Sequence, residues 1–366
     1  MGTKAPLDAA RTPAQEPALR KAQTFDESLT KRMYPAPTLE TVAMDRGERT
    51  RSRPARAAVL GAVVVLALAA AALRPPDGGA ALSATLVPQK GALLGAMAPR
   101  VRKFQRLIRH RVAIEHSFYG WEHVFPGTHE RWTVGHHRIP MITWKPTGAS
   151  LAGIVHGNFD PLIRARAVAA RTFGKRFFLR FAHEMNGDWY PWSGYNTGKS
   201  GARYIAAWRH IHRIFDNVGA TKVVWVWSPH WKSFPMEAWN DFRNYYPGDA
   251  YVDWVGIDGY NHGSIGHWKW TSFRHLFRNV YNAYAGKKPI MIAETASVEQ
   301  GGSKRLWIKS ARRTMKHRFR GIKAFVWFHF RASYEGHVWD WRVNSSRSAL
   351  RAFRALADDP YFHPAR

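Results

Sequence analysis

The sequence predicts an α/β fold, a (β/α)8 barrel, and three observations carry that reading. Short β-rich runs alternate with longer helix-patterned stretches, which implies parallel pairing through βαβ units. Seven such runs fall within the roughly 280 residues from Leu86 onward, as a barrel would show with one strand unseen. No glycine-rich phosphate loop follows the first run, which disfavours the alternative, a doubly wound open sheet.

In order, the runs are VAIEH (Val112 to His116), RIPMITW (Arg138 to Trp144), KRFFLRF (Lys175 to Phe181) and KVVWVW (Lys222 to Trp227). YVDWVGI (Tyr251 to Ile257), KPIMIAE (Lys288 to Glu294) and KAFVWF (Lys323 to Phe328) follow. The gap between Trp144 and Lys175 is where the unseen strand is expected, as the third, near Gly153 to His156. Helical patterns fill the intervals. DPLIRARAVAART opens on Asp160-Pro161, an N-cap and N1 pair. YIAAWRHIHRIFDNVG closes on Asn217-Val218-Gly219, a helix stop. RLWIKSARRTMKHRF precedes the last run.

The first 85 residues differ in kind: they hold low-complexity Ala, Pro and Arg material and none of the 17 Trp. Residues 1–56 read as a disordered basic tail, 74–90 as a linker and 91–366 as the barrel. Between tail and linker, Ala57 to Leu73 is a run of 17 apolar residues preceded by Arg51, Arg53 and Arg56. That length sits at the lower edge of a membrane-spanning helix. Translated from Met1, it would be a signal anchor; translated from Met44, a cleavable signal peptide. Both place the barrel outside the cell, anchored in the membrane through residues 57–73 or secreted. A buried Ala-rich helix is the bland alternative. With no cysteine in the chain, disulfides are excluded as a stabilising device.

The net charge is +29, and residues 86–366 carry 43 Lys and Arg against 18 Asp and Glu. Such a surface attracts anionic polymers, membranes or nucleic acid. The cations are scattered, however, and no RNP, zinc-finger or helix-turn-helix pattern accompanies them, so specific nucleic-acid recognition is not expected. A solvated Arg-rich surface is the favoured reading, with an anionic cell-wall polymer as the candidate second partner.

Acidic residues are scarce, so their positions are informative. Glu115, Glu184, Asp258 and Glu294 all fall at or just past a strand end, where a barrel keeps its reactive groups. With the unseen strand counted, Glu184 follows the fourth strand and Glu294 ends the seventh, on opposite sides of the mouth. Glycoside hydrolysis needs two carboxylates flanking the scissile bond, and this pair could supply them. Trp189, Tyr190, Trp192, Trp227, Trp231, Tyr260 and Trp327 follow strands on the same rim, and flat aromatic faces suit pyranose rings. Taken singly, each aromatic reads as core, but their shared placement after strands reverses that for the group. The alternative to a catalytic Glu184 is a buried salt bridge to Arg180 or a nearby basic residue. His183-Glu184 begins a HExxH zinc pattern, but Gly187 stands where the second His belongs. No nucleophile elbow or P-loop occurs, no ligand cluster suggests a metal, and no cofactor is expected.

HEMNGDWYPW (His183 to Trp192), GIDGYN (Gly256 to Asn261) and PIMIAETAS (Pro289 to Ser297) resemble glycoside hydrolase family 26, whose best-known members are secreted β-mannanases. The likeness runs from about Leu93 to Arg351 and includes GNFD (Gly157 to Asp160) and VWF (Val326 to Phe328). The resemblance implies a barrel with catalytic glutamates on strands four and seven and a retaining mechanism. Glu184 would be the general acid/base and Glu294 the nucleophile. It also implies that His183 bonds sugar hydroxyls near the reacting carbon and that Tyr260 orients the nucleophile. Trp189 and Trp327 would line the subsite of the covalently held sugar. His116, after the first strand, would contact sugar further out, and Trp192 and Trp231 join the substrate-binding set. Relatives cut β-1,4-mannan, mixed-linkage β-glucan or β-1,3-xylan. β-1,4-mannan is the first expectation. Phe328, which departs from the Arg of some mannanases, counts against strong distal-subsite binding of mannan and keeps β-1,3-1,4-glucan as the alternative. A catalytically weak polysaccharide-binding barrel serving exopolysaccharide handling is the non-enzyme rival.

Overall fold

A computed structural model describes residues 85–334 and 336–363. Eight parallel strands close in chain order: β1 (Leu93–Met97), β2 (Ile114–Tyr119), β3 (Ile139–Trp144), β4 (Phe177–Phe181), β5 (Val223–Trp227), β6 (Trp254–Asn261), β7 (Ile290–Ser297) and β8 (Ile322–Phe328). β8 pairs back to β1 from Leu93↔Ala324 to Met97↔Phe328. Around them run α1 (Val101–Ile108), α2 (Thr128–Gly135), α3 (Leu151–Val155), α4 (Asp160–Phe173), α5 (Ala202–Val218), α6 (Phe273–Tyr284), α7 (Lys304–His317) and α8 (Arg347–Ala357). The β5–β6 connection descends through short 3-10 turns between Ala238 and Tyr251. A hairpin of β9 (Arg331–Tyr334) and β10 (His337–Asp340) stands in the β8–α8 connection.

The expected barrel is present, but its unseen strand is the first, not the third. Leu93–Met97 is short and carries Gly95 at its centre, which weakens its strand signal. The stretch expected to hold the third strand is instead the one-turn helix α3. Ser150 caps it, its Oγ accepting from the Gly153 amide at 3.0 Å. VAIEH is therefore the second strand and RIPMITW the third, while β4 and β7 keep their expected numbers. The apolar segment at 57–73 and the tail before it lie outside the described residues. Among the described residues, no helix is long and apolar enough to cross a membrane.

Strand alternation divides the core into two layers. Leu93, Met141, Phe178, Val224, Trp254 and Val326 point into the barrel, and the strands' other faces pack against the helices. The helices answer with apolar stripes, as in α6, which buries Phe273, Leu276, Phe277, Val280 and Tyr284. Leu86 joins the interior layer at its N-terminal end, where Trp254 Nε1 donates to the Thr85 carbonyl at 2.6 Å. Gly95 is dictated by space: a Cβ there would lie 2.9 Å from both Ile114 Cβ and Val326 Cγ2. Gly95→Ala is expected to destabilise the fold by about 1–3 kcal/mol through overpacking, read as a lowered urea midpoint.

Candidate active site

A polar layer caps the apolar interior at the C-terminal ends of the strands. In β4 the alternation sends Phe177, Leu179 and Phe181 toward the helices and Phe178 and Arg180 inward. Arg180 is fully buried, and a guanidinium removed from water requires partners. Three strands supply them. Nη1 donates to both oxygens of Asp258 on β6, at 2.6 and 2.7 Å. Nη2 donates to Glu294 Oε1 on β7, and Nε donates to Thr143 Oγ1 on β3 at 2.7 Å. Burial alone would lower the Arg180 pKa; Asp258 and Glu294 reverse that and hold it above its ordinary value.

Thr143 Oγ1 also lies 2.7 Å from His116 Nε2, and Arg180 Nη2 approaches the same nitrogen at 3.3 Å. Arg180 can only donate, so His116 Nε2 faces it as an acceptor, and the Thr143 hydroxyl, whose oxygen accepts from Arg180 Nε, can donate to the same nitrogen. Burial, then Arg180, holds the His116 pKa well below its ordinary value, consistent with a neutral ring.

Glu294 reaches the layer through a bulge. Met291 and Ala293 both face inward, so strict alternation would turn Glu294 toward the helices. The register with β6 shifts here, from Ile257↔Ile292 to Asp258↔Glu294, leaving Ala293 as the extra residue. Glu294 thereby meets Arg180 through one oxygen and Tyr260 through the other, the phenol donating to Oε2 at 2.5 Å. Burial, then Glu294, raises the Tyr260 pKa well above its ordinary value, so the phenol remains a donor.

Glu184 is delivered by a strained exit from β4. Ala182 and Glu184 have φ of 45° and 53°, left-handed values unfavourable for non-glycine residues, at roughly 1–3 kcal/mol each. Hydrogen bonds hold the turn: the Glu184 amide donates to Ser228 O at 2.8 Å, and the Gly187 amide donates to Glu184 O at 2.9 Å. Asn186 ties the turn to the next loop, donating to His230 O at 2.9 Å and accepting from the His230 amide at 2.8 Å. The Glu184 carboxylate accepts from Trp189 Nε1 at 2.9 Å. Between the strained residues, His183 Nε2 sits 3.2 Å from the Tyr190 hydroxyl. Burial, then Arg180, holds the His183 pKa well below its ordinary value, so the ring is neutral.

The structure thus brings Glu184, Glu294, His183, Trp189 and Tyr260 to one mouth, and it relocates four other expected residues. His116 belongs to β2 and lies within the Arg180 network, not further out after a first strand. Trp192 is 2 % exposed; its Nε1 donates to the His183 carbonyl and its ring stacks under Tyr190 at 4.2 Å, so it supports the rim. Trp231 lies behind β6 against Gly259, 6.0 Å from His275 of α6. Trp327 faces the helices, edge-on to Phe353 of α8 at 5.1 Å, because Val326 and Phe328 take the inward positions of β8. Trp227 is likewise buried behind the barrel, against Tyr246 and Tyr284. Glu115 turns away to Arg138 at 2.8 Å.

The residues that the strand pattern missed are Arg180 as the common partner of two acids, and Trp341. Trp341 follows β10 and packs on Tyr260 at 5.0 Å and on Phe328 at 5.7 Å. The signal for its hairpin was the pair of short runs on either side of Gly336. Among the described residues, no group of three or more His, Cys, Asp and Glu could hold a metal ion.

A parallel eight-stranded barrel whose mouth holds carboxylates from β4 and β7 among aromatic faces has the parts of a glycoside-hydrolysing barrel. Comparison with known proteins narrows that class. Residues 176–353 match the family model of glycosyl hydrolase family 26. Endoglucanase H of Acetivibrio thermocellus is 39% identical over 261 residues, 69% of this chain. A mannan endo-1,4-beta-mannosidase of Bacillus subtilis strain 168 is 32% identical over 93 residues, 24% of this chain. This chain spans about a quarter of the length of these relatives, 28% and 24% respectively. Among solved structures, the catalytic domain of the Bacillus sp. JAMB-750 family 26 endo-beta-1,4-mannanase superposes with a TM-score of 0.56. That match covers 75% of this chain and 88% of that one at 17% identity, a likeness of fold. The chain belongs to glycosyl hydrolase family 26.

Proposed function

We propose that the chain is a retaining endo-β-glycanase acting on a neutral β-1,4-linked polysaccharide, either mannan or mixed-linkage β-glucan. The observation that carries this reading is the unequal setting of the two carboxylates. Glu294 accepts from Arg180 and Tyr260 on its two oxygens, which fixes the carboxylate in one orientation, as a nucleophile requires. Glu184 sits on a strained turn across the mouth, its carboxylate against the Trp189 indole.

In this reading Glu294 attacks the anomeric carbon while Glu184 gives its proton to the departing glycosidic oxygen. Water then enters, Glu184 takes its proton, and the glycosyl–Glu294 ester breaks with a second inversion. His183, neutral at working pH, bonds sugar hydroxyls near the reacting carbon without adding charge. Trp189 and Trp341 offer the aromatic faces. The 261-residue alignment with an endoglucanase supports β-glucan, and the shorter mannosidase alignment supports mannan. The apolar stretch at 57–73 behind its arginines supports export, with the barrel at the outer face of the membrane or secreted.

A panel of mannan, glucomannan, mixed-linkage glucan, β-1,3-xylan and cellulose, read by reducing-sugar release, tests the reading. Release from a β-1,4-linked polymer is expected; a folded protein that cleaves none of them overturns it. A second partner is favoured by one observation. Lys309, Arg312, Arg313, Lys316 and His317 of α7 line a groove of about 530 Å³ against Ala352 and Ala355 of α8. We assign that groove to an anionic polymer. Such binding is expected to weaken steeply between 50 and 500 mM salt, over which the Debye length falls about threefold, while neutral-glycan cleavage does not respond.

A further inference from the structure

We propose that Lys304 is a positioning residue of the sugar site: together with Trp327 it pins the backbone around Trp341 and so fixes the aromatic wall beside Tyr260. The inference rests on the mouth being the sugar site.

Lys304 is an improbable place for a cation. It occupies the first position of α7, where the helix dipole repels positive charge, and it is fully buried. All three of its N–H donors are used on one loop. Nζ donates to Asp340 O at 3.0 Å, to Arg342 O at 2.7 Å and to Ser345 Oγ at 2.9 Å. The carbonyl between the first two, that of Trp341, accepts from Trp327 Nε1 at 2.8 Å. Three successive carbonyls are therefore held by two side chains, and the ammonium lies 5.8 Å from the Trp327 ring. Ser345 passes the grip on, donating to Glu299 Oε1 at 2.8 Å.

What the clamp holds is the site. The Trp341 ring rests 5.0 Å from that of Tyr260, and Tyr260 donates to Glu294. Lys304 touches none of the reacting groups, so its action runs through Trp341. This also gives Trp327 a task from its place behind the strand.

The charged and titratable groups facing Lys304 are Glu299 after β7, Asp340 and Arg342 at the hairpin, and His329 after β8. His329 is neutral, its pKa pushed down to about 3 mainly by burial. Burial also brings Lys304 down to about 7, with Glu299 and Asp340 opposing and Arg342 adding to the fall. Above that pH the amine keeps two N–H groups for three acceptors, and the grip weakens. Fold stability moves the other way. Between about pH 7 and the ordinary lysine value the unfolded chain binds more protons, so this group adds stability as pH rises. Local loosening without loss of global stability is the signature of the clamp.

The test is hydrogen exchange and kinetics on the full chain carrying Lys304→Met. Exchange at the Trp341 and Val343 amides is expected to quicken about tenfold, the equivalent of one lost hydrogen bond, with β4 and β7 unchanged. KM should rise more than kcat falls. Unchanged exchange overturns the clamp, and faster exchange with unchanged KM overturns its role in the site. Wild-type protein that cleaves no glycan overturns the sugar-site reading and the positioning role with it, even where the exchange result upholds the clamp. Should the variant not fold, wild-type exchange from pH 6 to 9 decides. The ratio of Trp341 to β7 exchange should climb through pH 7, and a flat ratio overturns the proposal.

Discussion

Glu294→Ala is expected to lower hydrolysis of the cleaved polymer by about 10⁴-fold or more, and Glu184→Ala by a similar factor, but the two losses should differ in kind. Without Glu294 no glycosyl-enzyme forms, whatever the leaving group. Without Glu184 the first step fails only for leaving groups that need a proton. An aryl glycoside with an acidic phenol should still glycosylate Glu294 and then stall, giving a burst followed by slow turnover. Azide separates the variants further. In Glu294→Ala it occupies the vacated space and attacks directly, giving one inversion and an α-glycosyl azide from a β-substrate. In Glu184→Ala it attacks the glycosyl-enzyme without needing a base, giving two inversions and a β-glycosyl azide. The fold should survive both changes, because Arg180 keeps its two bonds to Asp258 when Glu294 is gone. A burst in Glu294→Ala, or the opposite anomers, would exchange the two assignments.

How far this site was legible in the sequence depended on parity. β4 and β7 were readable because each is a compact apolar run that ends in a charged motif. β1 was not, because a five-residue run with a central glycine carries little strand propensity. α3 was misread because LAGIV is apolar and too short to declare its period, and only the Ser150 cap marks it as helical. In β8, counting by two from Ala324 and Val326 places Phe328 inward and Trp327 outward. Arg180 shares its face with Phe178 by the same rule. Counting fails in β7, where Met291 and Ala293 would turn Glu294 to the helices and only the bulge turns it back. A bulge is a property of two paired strands, and one strand's sequence does not contain it. The Trp341 wall has a similar cause, since a hairpin beyond β8 meets Tyr260 only when the barrel has closed.

The Arg180 network also predicts the largest stability effect. Arg180→Met is expected to destabilise the fold by about 3–5 kcal/mol, because it strands two buried carboxylates without removing either. For a barrel of this size that is a fall in Tm of roughly 10 °C. Burial already pushes the Asp258 carboxyl up, Arg180 pulls it back, and Glu294 and Glu184 push it further. With the guanidinium gone, Asp258 should take a proton, becoming a donor where the site holds an acceptor. Glu294 would keep the Tyr260 hydrogen bond and lose its cation, so activity should fall even at temperatures where the variant is folded. Asp258→Asn in the same background removes one of the two stranded carboxylates and should recover part of the lost stability. It should recover little of the activity, because Glu294 remains without Arg180. Thermal melts of the two single variants and the double variant, with kcat/KM on the same samples, complete the cycle. Additive losses in stability would mean that Arg180 and Asp258 do not act as a pair. Full activity in Arg180→Met would mean that Tyr260 alone holds the nucleophile.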